Sequence, residues 1–224
     1  MRSLKTALSD ADLRESVLAE FDWDPSVDDL ELDVAVKDGA VSLRGRVMSY
    51  SQRHAAVRAA ERVRGVKAVA DDIDVVLPDE VDRKDSEIAA EIAYERERST
   101  GIPDSVKAEV RNGQVTLRGS VAWSYQRDEA ARAVRHLVGV RDVSNLIEVE
   151  PGVVEANASD VEEQIHQALG RMADVDASSI SVTKTDHVVR LEGSVGSLAE
   201  RRIAQRVAES AAGVTRVENN LVIN

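Results

Sequence analysis

No cysteine occurs in the 224 residues, which removes a disulfide framework, a thiol nucleophile and a cysteine-ligated zinc site together. Basic residues are scarce beside acidic ones, 29 against 41, and the formal net charge is −12. Neutralising phosphates along a duplex needs a clustered basic surface, so this balance excludes nucleic acid as a general partner. There is also no run of roughly 18 consecutive apolar residues, the length a transmembrane helix requires. The start, Met1 to Leu8, turns polar at Ser9-Asp10 without the apolar stretch an export signal carries. The expected compartment is therefore the cytoplasm, and the periplasm only if an export signal has been removed. The motifs of common enzymes are missing: no G-x-S-x-G, no phosphate-cradling glycine loop, no H-E-x-x-H. His54, His136, His166 and His187 share no repeat register or metal-ligand spacing, and His136 and His166 read as solvent residues on helix surfaces. No catalytic residue, and no cofactor, is implied.

What is present is an internal repeat. Gly45, Gly119 and Gly193 are spaced by 74, as are Gly65, Gly139 and Gly213, then Leu43, Leu117 and Leu191, and Arg53, Arg127 and Arg201. The chain is three copies of one module, expected at 9–76, 84–150 and 159–224, with linkers at 77–83 and 151–158. Each copy opens with a helix whose apolar residues recur every fourth position, Leu13, Val17 and Phe21 in the first. Asp12 and Asp160 are candidate N-terminal caps for this helix.

An alternating strand follows, and then a two-residue turn, Asp38-Gly39 or Asn112-Gly113, the strongest short hairpin signal. Copy three has Asp186-His187 there, so its turn is expected to be the most strained. The second strand puts Val41, Leu43, Gly45 and Val47 on one face. A glycine on that face implies close approach of another backbone, with the small face of the second helix (Ala55, Ala56, Ala59, Ala60) as the expected neighbour. That helix begins with a capping box, Ser49 to Gln52 or Ser197 to Glu200, and is expected to stop in a Schellman turn at Gly65, Gly139 or Gly213. A third strand closes each copy, and the helical crossover makes it parallel to the second. The fold class is α+β: three tandem α-β-β-α-β modules, each a three-stranded mixed sheet covered by two helices on one face. Modules of this size have thin cores, so the three are expected to pack on one another or on a partner.

The D/N-G hairpin, the V-x-L-x-G-x-V strand, the terminal Gly-Val of the second helix and the closing V-x-N-x-L/I-x-V strand together resemble the BON domain of bacterial osmotic-shock and transport-associated proteins. Trp23-Asp-Pro-Ser-Val27 and Trp123-Ser-Tyr-Gln-Arg127 further resemble cytoplasmic proteins with three such domains. The resemblance implies a small α/β sandwich that binds phospholipid surfaces or other ligands in proteins tied to osmotic and envelope stress, with no catalytic activity.

The candidate site is the junction between strand two and helix two. Tyr50 and Arg53, Trp123, Tyr125 and Arg127, and Arg201 gather at helix N-termini, where free N–H groups and the dipole favour an anion. An arginine there suits a phosphate and aromatic rings suit a headgroup layer. The competing expectation is that these arginines pair with acids and the rings pack between modules. Strand three carries a polar residue on its apolar face in every copy, Asp71, Asn145 or Asn219, expected to bond nearby backbone. In copy one it extends into Asp71, Asp72 and Asp74, a weak alternative for a cation, beside further acids near Trp23. The expected function is a non-enzymatic binding protein taking phospholipid headgroups or a protein partner at the junction. A cation- or small-ligand-responsive sensor and a structural scaffold are the alternatives. The middle segment, 81–152, has the most even charge, 13 acids and 11 bases, and is the segment least repelled by an anionic surface.

Overall fold

The computed structural model describes residues 8–27, 31–78, 83–150, 158–173 and 175–224. Most of both linkers, and Leu30, Asp28 and Asp29, lie outside the described residues.

Module 1 comprises α1 (Asp10–Trp23), β1 (Leu32–Lys37), β2 (Ala40–Val47), α2 (Tyr50–Arg62) and β3 (Ala68–Val75). Module 2 repeats the order as α3 (Asp85–Arg98), β4 (Lys107–Arg111), β5 (Gln114–Val121), α4 (Ser124–Arg135) and β6 (Asp142–Val149). Module 3 does so as α5 (Ala158–Gly170), β7 (Ile180–Thr185), β8 (Val188–Val195), α6 (Leu198–Glu209) and β9 (Arg216–Ile223). In every sheet the second strand is central, antiparallel to the first across the hairpin and parallel to the third across the helical crossover. The core of module 1 lies between the inward face of the sheet (Val41, Leu43, Ile73) and the apolar stripes of α1 (Leu13, Val17) and α2 (Ala56, Ala59). Modules 2 and 3 repeat it.

Local signals act with some changes of partner. The cap of α1 is Ser9, whose hydroxyl accepts from Asp12 N–H at 3.2 Å; Asp12 returns the bond from the third helical position rather than being the cap itself. Asp10 receives the Asp38 and Gly39 turn amides, at 2.9 and 3.1 Å, and Asp85 does the same for Asn112 and Gly113. In the third hairpin only Asp186 takes a positive φ, so His187 avoids the left-handed region and bonds the Gly213 carbonyl through Nδ1.

The close neighbour of Gly45, Gly119 and Gly193 is not helix two. A Cβ there would stand 2.7, 2.2 and 2.0 Å from the carbonyl oxygens of Glu31, Ser105 and Ser179, where the chain enters the first strand. These glycines take positive φ of 150, 125 and 124°, which a side chain would strain as well as crowd. The second helices also end earlier than expected, at Arg62, Arg135 and Glu209. Gly65, Gly139 and Gly213 then sit in separate tight turns, each closed by the next valine's N–H on a carbonyl three residues back.

The modules join head to tail. Ser51 at the start of α2 meets the Arg135 carbonyl and His136 Nδ1 at the end of α4, at 3.1 and 3.0 Å, so His136 is an inter-module contact rather than a plain solvent residue. Arg127 at the start of α4 reaches Glu209 at the end of α6 at 2.6 Å. Gly196, just before α6, accepts from Gly65 N–H beyond α2 at 3.0 Å, and Arg202 lies 2.8 Å from Glu61. Module 1 touches 2, 2 touches 3, and 3 returns to 1. At each seam the start of one second helix faces the end of another, through a different set of residue pairs, and the three seams close a ring.

Candidate functional site

Of the junction residues, Tyr50, Arg53 and Arg127 reach across a seam of this ring, whereas Arg201 bonds within its own module. At the seam of modules 1 and 2, Arg53 donates through Nε to Asp71 at 2.9 Å and lies 3.6 Å from Asp142 of module 2. Tyr50 leaves its own module and packs on the core of module 2; burial first, then the Asp142 charge, raises its phenol above the usual range. At the seam of modules 2 and 3, Arg127 pairs with Glu209 and lies 3.6 Å from Asp128. Within module 3, Arg201 donates to the Asn219 side chain at 3.4 Å and to its carbonyl at 2.8 Å.

The two recurring oddities of the sequence therefore meet. The strand-three side chain accepts the N–H two residues on, at 3.2 Å for Asp71 and 3.3 Å for Asn145 and Asn219, and its other atom faces helix two. Asp71 receives Arg53, whereas Asn145 and Asn219 donate to the carbonyls of Arg127 and Arg201, at 2.9 and 3.1 Å. Each polar pair locks the start of the second helix to the last strand, and none of the three guanidiniums is left without a protein partner. Asp71 faces away from Asp72 and Asp74, because successive strand residues face opposite sides: Arg53 takes Asp71 on one and Arg44 takes Asp72 on the other, at 3.3 Å. Among the described residues no three acidic or histidine side chains are placed to hold a metal ion. Asp24, near Trp23, is held below the usual carboxylate range by hydrogen bonds from Ser26 and is also paired with Arg62.

The middle module differs from its neighbours at the helix start. Ser49 and Ser197 cap α2 and α6 by accepting from the N–H three residues on, at 3.2 Å each. The equivalent residue of α4 is Trp123, which has no acceptor and gives no side-chain cap. Trp123 is 41% exposed and Tyr125 60%. One position later the neighbours insert Tyr50 and Leu198 against the next module's core, while Ser124 is buried and leaves a cavity of about 230 Å³ against Val214 and Val217 of module 3.

A second arginine set also obeys the repeat. Arg58, Arg132 and Arg206 are spaced by 74 and line a cavity shared by all three modules. The offset could have picked them out, but not the meeting of the three helices.

Tandem modules of one crossover-hairpin design, closed on each other, define a repeat protein of small α+β domains. The chain belongs to the BON domain family, which matches residues 9–76, 84–151 and 157–224. It is 33% identical over 138 residues to Osmotically-inducible protein Y of Escherichia coli (strain K12), across 59% of this chain and 67% of that protein. Two structures of CdsD, a structural protein of the type III secretion system of Chlamydia trachomatis, are 15% and 16% identical over 97% and 95% of this chain and 100% and 92% of theirs. Their TM-scores, 0.26 each, are too low to carry an argument. Among the described residues no helix is long and apolar enough to cross a membrane.

Proposed function

We propose that the chain is a non-enzymatic binding protein of the osmotic-stress response, whose ring of three modules presents the helix start of the middle one to phospholipid surfaces. The likeness to Osmotically-inducible protein Y supports the link to osmotic stress. The observation that carries the binding face is the tryptophan at the cap position. A serine there, as at Ser49 and Ser197, would stabilise α4 by about 1 kcal/mol. Trp123 gives up that stability and holds a ring at the surface beside Tyr125, a pattern of stability yielded at a working site. Both rings have an apolar body and a polar edge, the character that favours the headgroup layer.

Because Arg53, Arg127 and Arg201 are engaged within the protein, the rings rather than a phosphate grip drive this contact. With a net charge of −12, vesicles of zwitterionic lipid bind at least as well as anionic ones at low salt. Co-sedimentation with phosphatidylcholine vesicles tests it. Wild type pellets with the lipid, and Trp123→Ser stays in the supernatant although urea titration finds it more stable by about 1 kcal/mol. If wild type remains in the supernatant with every lipid composition, the membrane reading is wrong, and a protein partner for the same rings becomes the one to test by pulldown.

A further inference from the structure

We propose that the cavity where α2, α4 and α6 meet is a binding site for a compact di- or triphosphate anion. It goes beyond the lipid reading and involves neither exposed ring of the middle module.

The cavity has a volume of about 460 Å³, within the usual range for small ligands. Each module contributes one arginine from the same repeat position: Arg58, Arg132 and Arg206. Arg127, Arg135 and Arg202 bring the guanidiniums to six, and the only carboxylates in the lining are Asp128 and Glu209. In a chain with 41 acids and 29 bases this is a local inversion of charge, and it occurs where three helices from three modules converge. The repeated arginine lines the same cavity from all three modules, which a merely solvated basic helix face does not require.

Three of the six are accounted for. Arg127 pairs with Glu209, Arg202 with Glu61 and Arg132 with Glu129, at 2.6, 2.8 and 2.8 Å. Arg58, Arg135 and Arg206 have no side-chain hydrogen bond or ion pair among the described residues. One position explains much of the imbalance. Glu61 and Glu209 are repeat equivalents, and each receives an arginine from the neighbouring module; the third equivalent is Arg135. The seam between modules 1 and 2 thus carries a cation where its two counterparts carry an anion.

The neighbours register the strain. Burial first, then the charge of Arg202, followed by Arg206 and Arg135, loosens the hold of Arg58 on its proton against the pull of Glu61, and burial does the same to Arg135. His54, on the cavity wall, is pushed down to about 4 by burial and then by Arg135, Arg58 and Arg202. A bound anion offsets the arginine charges among these causes.

The guanidinium fork matches phosphate oxygens in pairs, which favours phosphate over a compact halide. Unpaired arginines on separate helices need an anion with more than one charged group, hence a chain of two or three phosphates rather than a single one. The outer surface, with its excess acid, keeps a nucleic acid duplex away while a small anion enters.

Titration calorimetry and melting of the full chain with pyrophosphate, tripolyphosphate and ATP test the proposal, with sodium sulfate and sodium chloride at matched ionic strength as controls. At least one of the three phosphates binds saturably, one per chain, and raises the melting temperature beyond the controls. The double variant Arg58→Gln, Arg206→Gln weakens that binding at least tenfold. Arg135→Glu, which restores the acid of the other seams, weakens it similarly while melting no lower than wild type. The imidazole of His54, followed by NMR, titrates nearer its ordinary value once the anion is bound. Tighter binding of ATP than of tripolyphosphate identifies a nucleotide as the ligand, and equal binding identifies the phosphate chain alone. The proposal is overturned if no phosphate exceeds the ionic-strength controls, or if binding survives unchanged in Arg135→Glu and in the double variant.

Discussion

One repeat position can hold the same residue and still give it three different duties. Arg53 answers a carboxylate on its own third strand, Arg201 an amide at the equivalent place, and Arg127, facing an asparagine, turns to Glu209 of the next module. His54 is a residue of the same kind of interest, because its titration reports on everything packed around it. It stacks on Tyr50 with ring centroids 6.3 Å apart, and Arg135, Arg58, Arg202 and His136 all oppose its charging. Its folded pKa, about 4, lies below the value of 6.5 expected when unfolded. Above pH 6.5 the ring is neutral in both states; as pH falls toward 4 the unfolded chain takes up a proton that the folded one refuses, and stability declines. Glu61 shifts in the opposite sense, since burial raises its carboxyl against the pull of Arg202 and Arg58, so the comparison must be made against a variant that leaves Glu61 in place. Urea unfolding at pH 7 and pH 5 is expected to show wild type losing more stability than His54→Gln; equal losses would mean that His54 titrates normally.

Among the elements, α3 is the least complete. Its stripe reads Ile88, Ile92, Arg96, where α1 has Phe21 and α5 has Leu169 at the last place. With an arginine there, a mostly apolar cavity of about 200 Å³ remains, lined by Ile92, Ile102, Leu117 and Ala130 among others. The Arg96 guanidinium returns only a long bond, 3.5 Å, to the Val106 carbonyl. Arg96→Leu is expected to stabilise the chain by about 1–2 kcal/mol, by filling space that the other modules fill. Urea titration checks this, and an unchanged or lower midpoint would show that the leucine does not reach the cavity.

The elements themselves were legible in the sequence because their causes are local. Alternation at Val41, Leu43 and Val47 marks the inward face of β2, Asp38-Gly39 and Asn112-Gly113 mark the hairpins, and the crossover dictates a parallel β3. Periodicity names a face but not the backbone that crosses it, which is why the neighbour of Gly45 was legible only as a close approach, and is Glu31 rather than α2. The site was legible in part for the same reason. The offset of 74 singles out Arg53, Arg127 and Arg201, but the partners Asp142 and Glu209 come from other modules, and no local pattern encodes them.

At the scale of the whole molecule, closure changes what each module must supply for itself. A module of this size has a thin core, and the position after the helix cap is given away: Tyr50 of module 1 packs on module 2, and Leu198 of module 3 packs on module 1. Stability is therefore shared around the ring in one direction. An open row of modules would leave one of these side chains without a host, whereas the return of module 3 to module 1 through Gly196 and Gly65, and through Arg202 and Glu61, gives Leu198 its place. It follows that a change in one module should be felt in another. Leu198→Ala removes apolar contact from the core of module 1, at a cost on the order of 1–2 kcal/mol for a partly buried leucine. Hydrogen exchange should then quicken in α1 and α2, far away in sequence, while the amides of α3 and β5 keep their protection, because the seam of module 2 with module 1 is filled by Tyr50 and is untouched. A faster exchange confined to module 3 would contradict the closed ring, since the leucine would then have been packed only against its own domain.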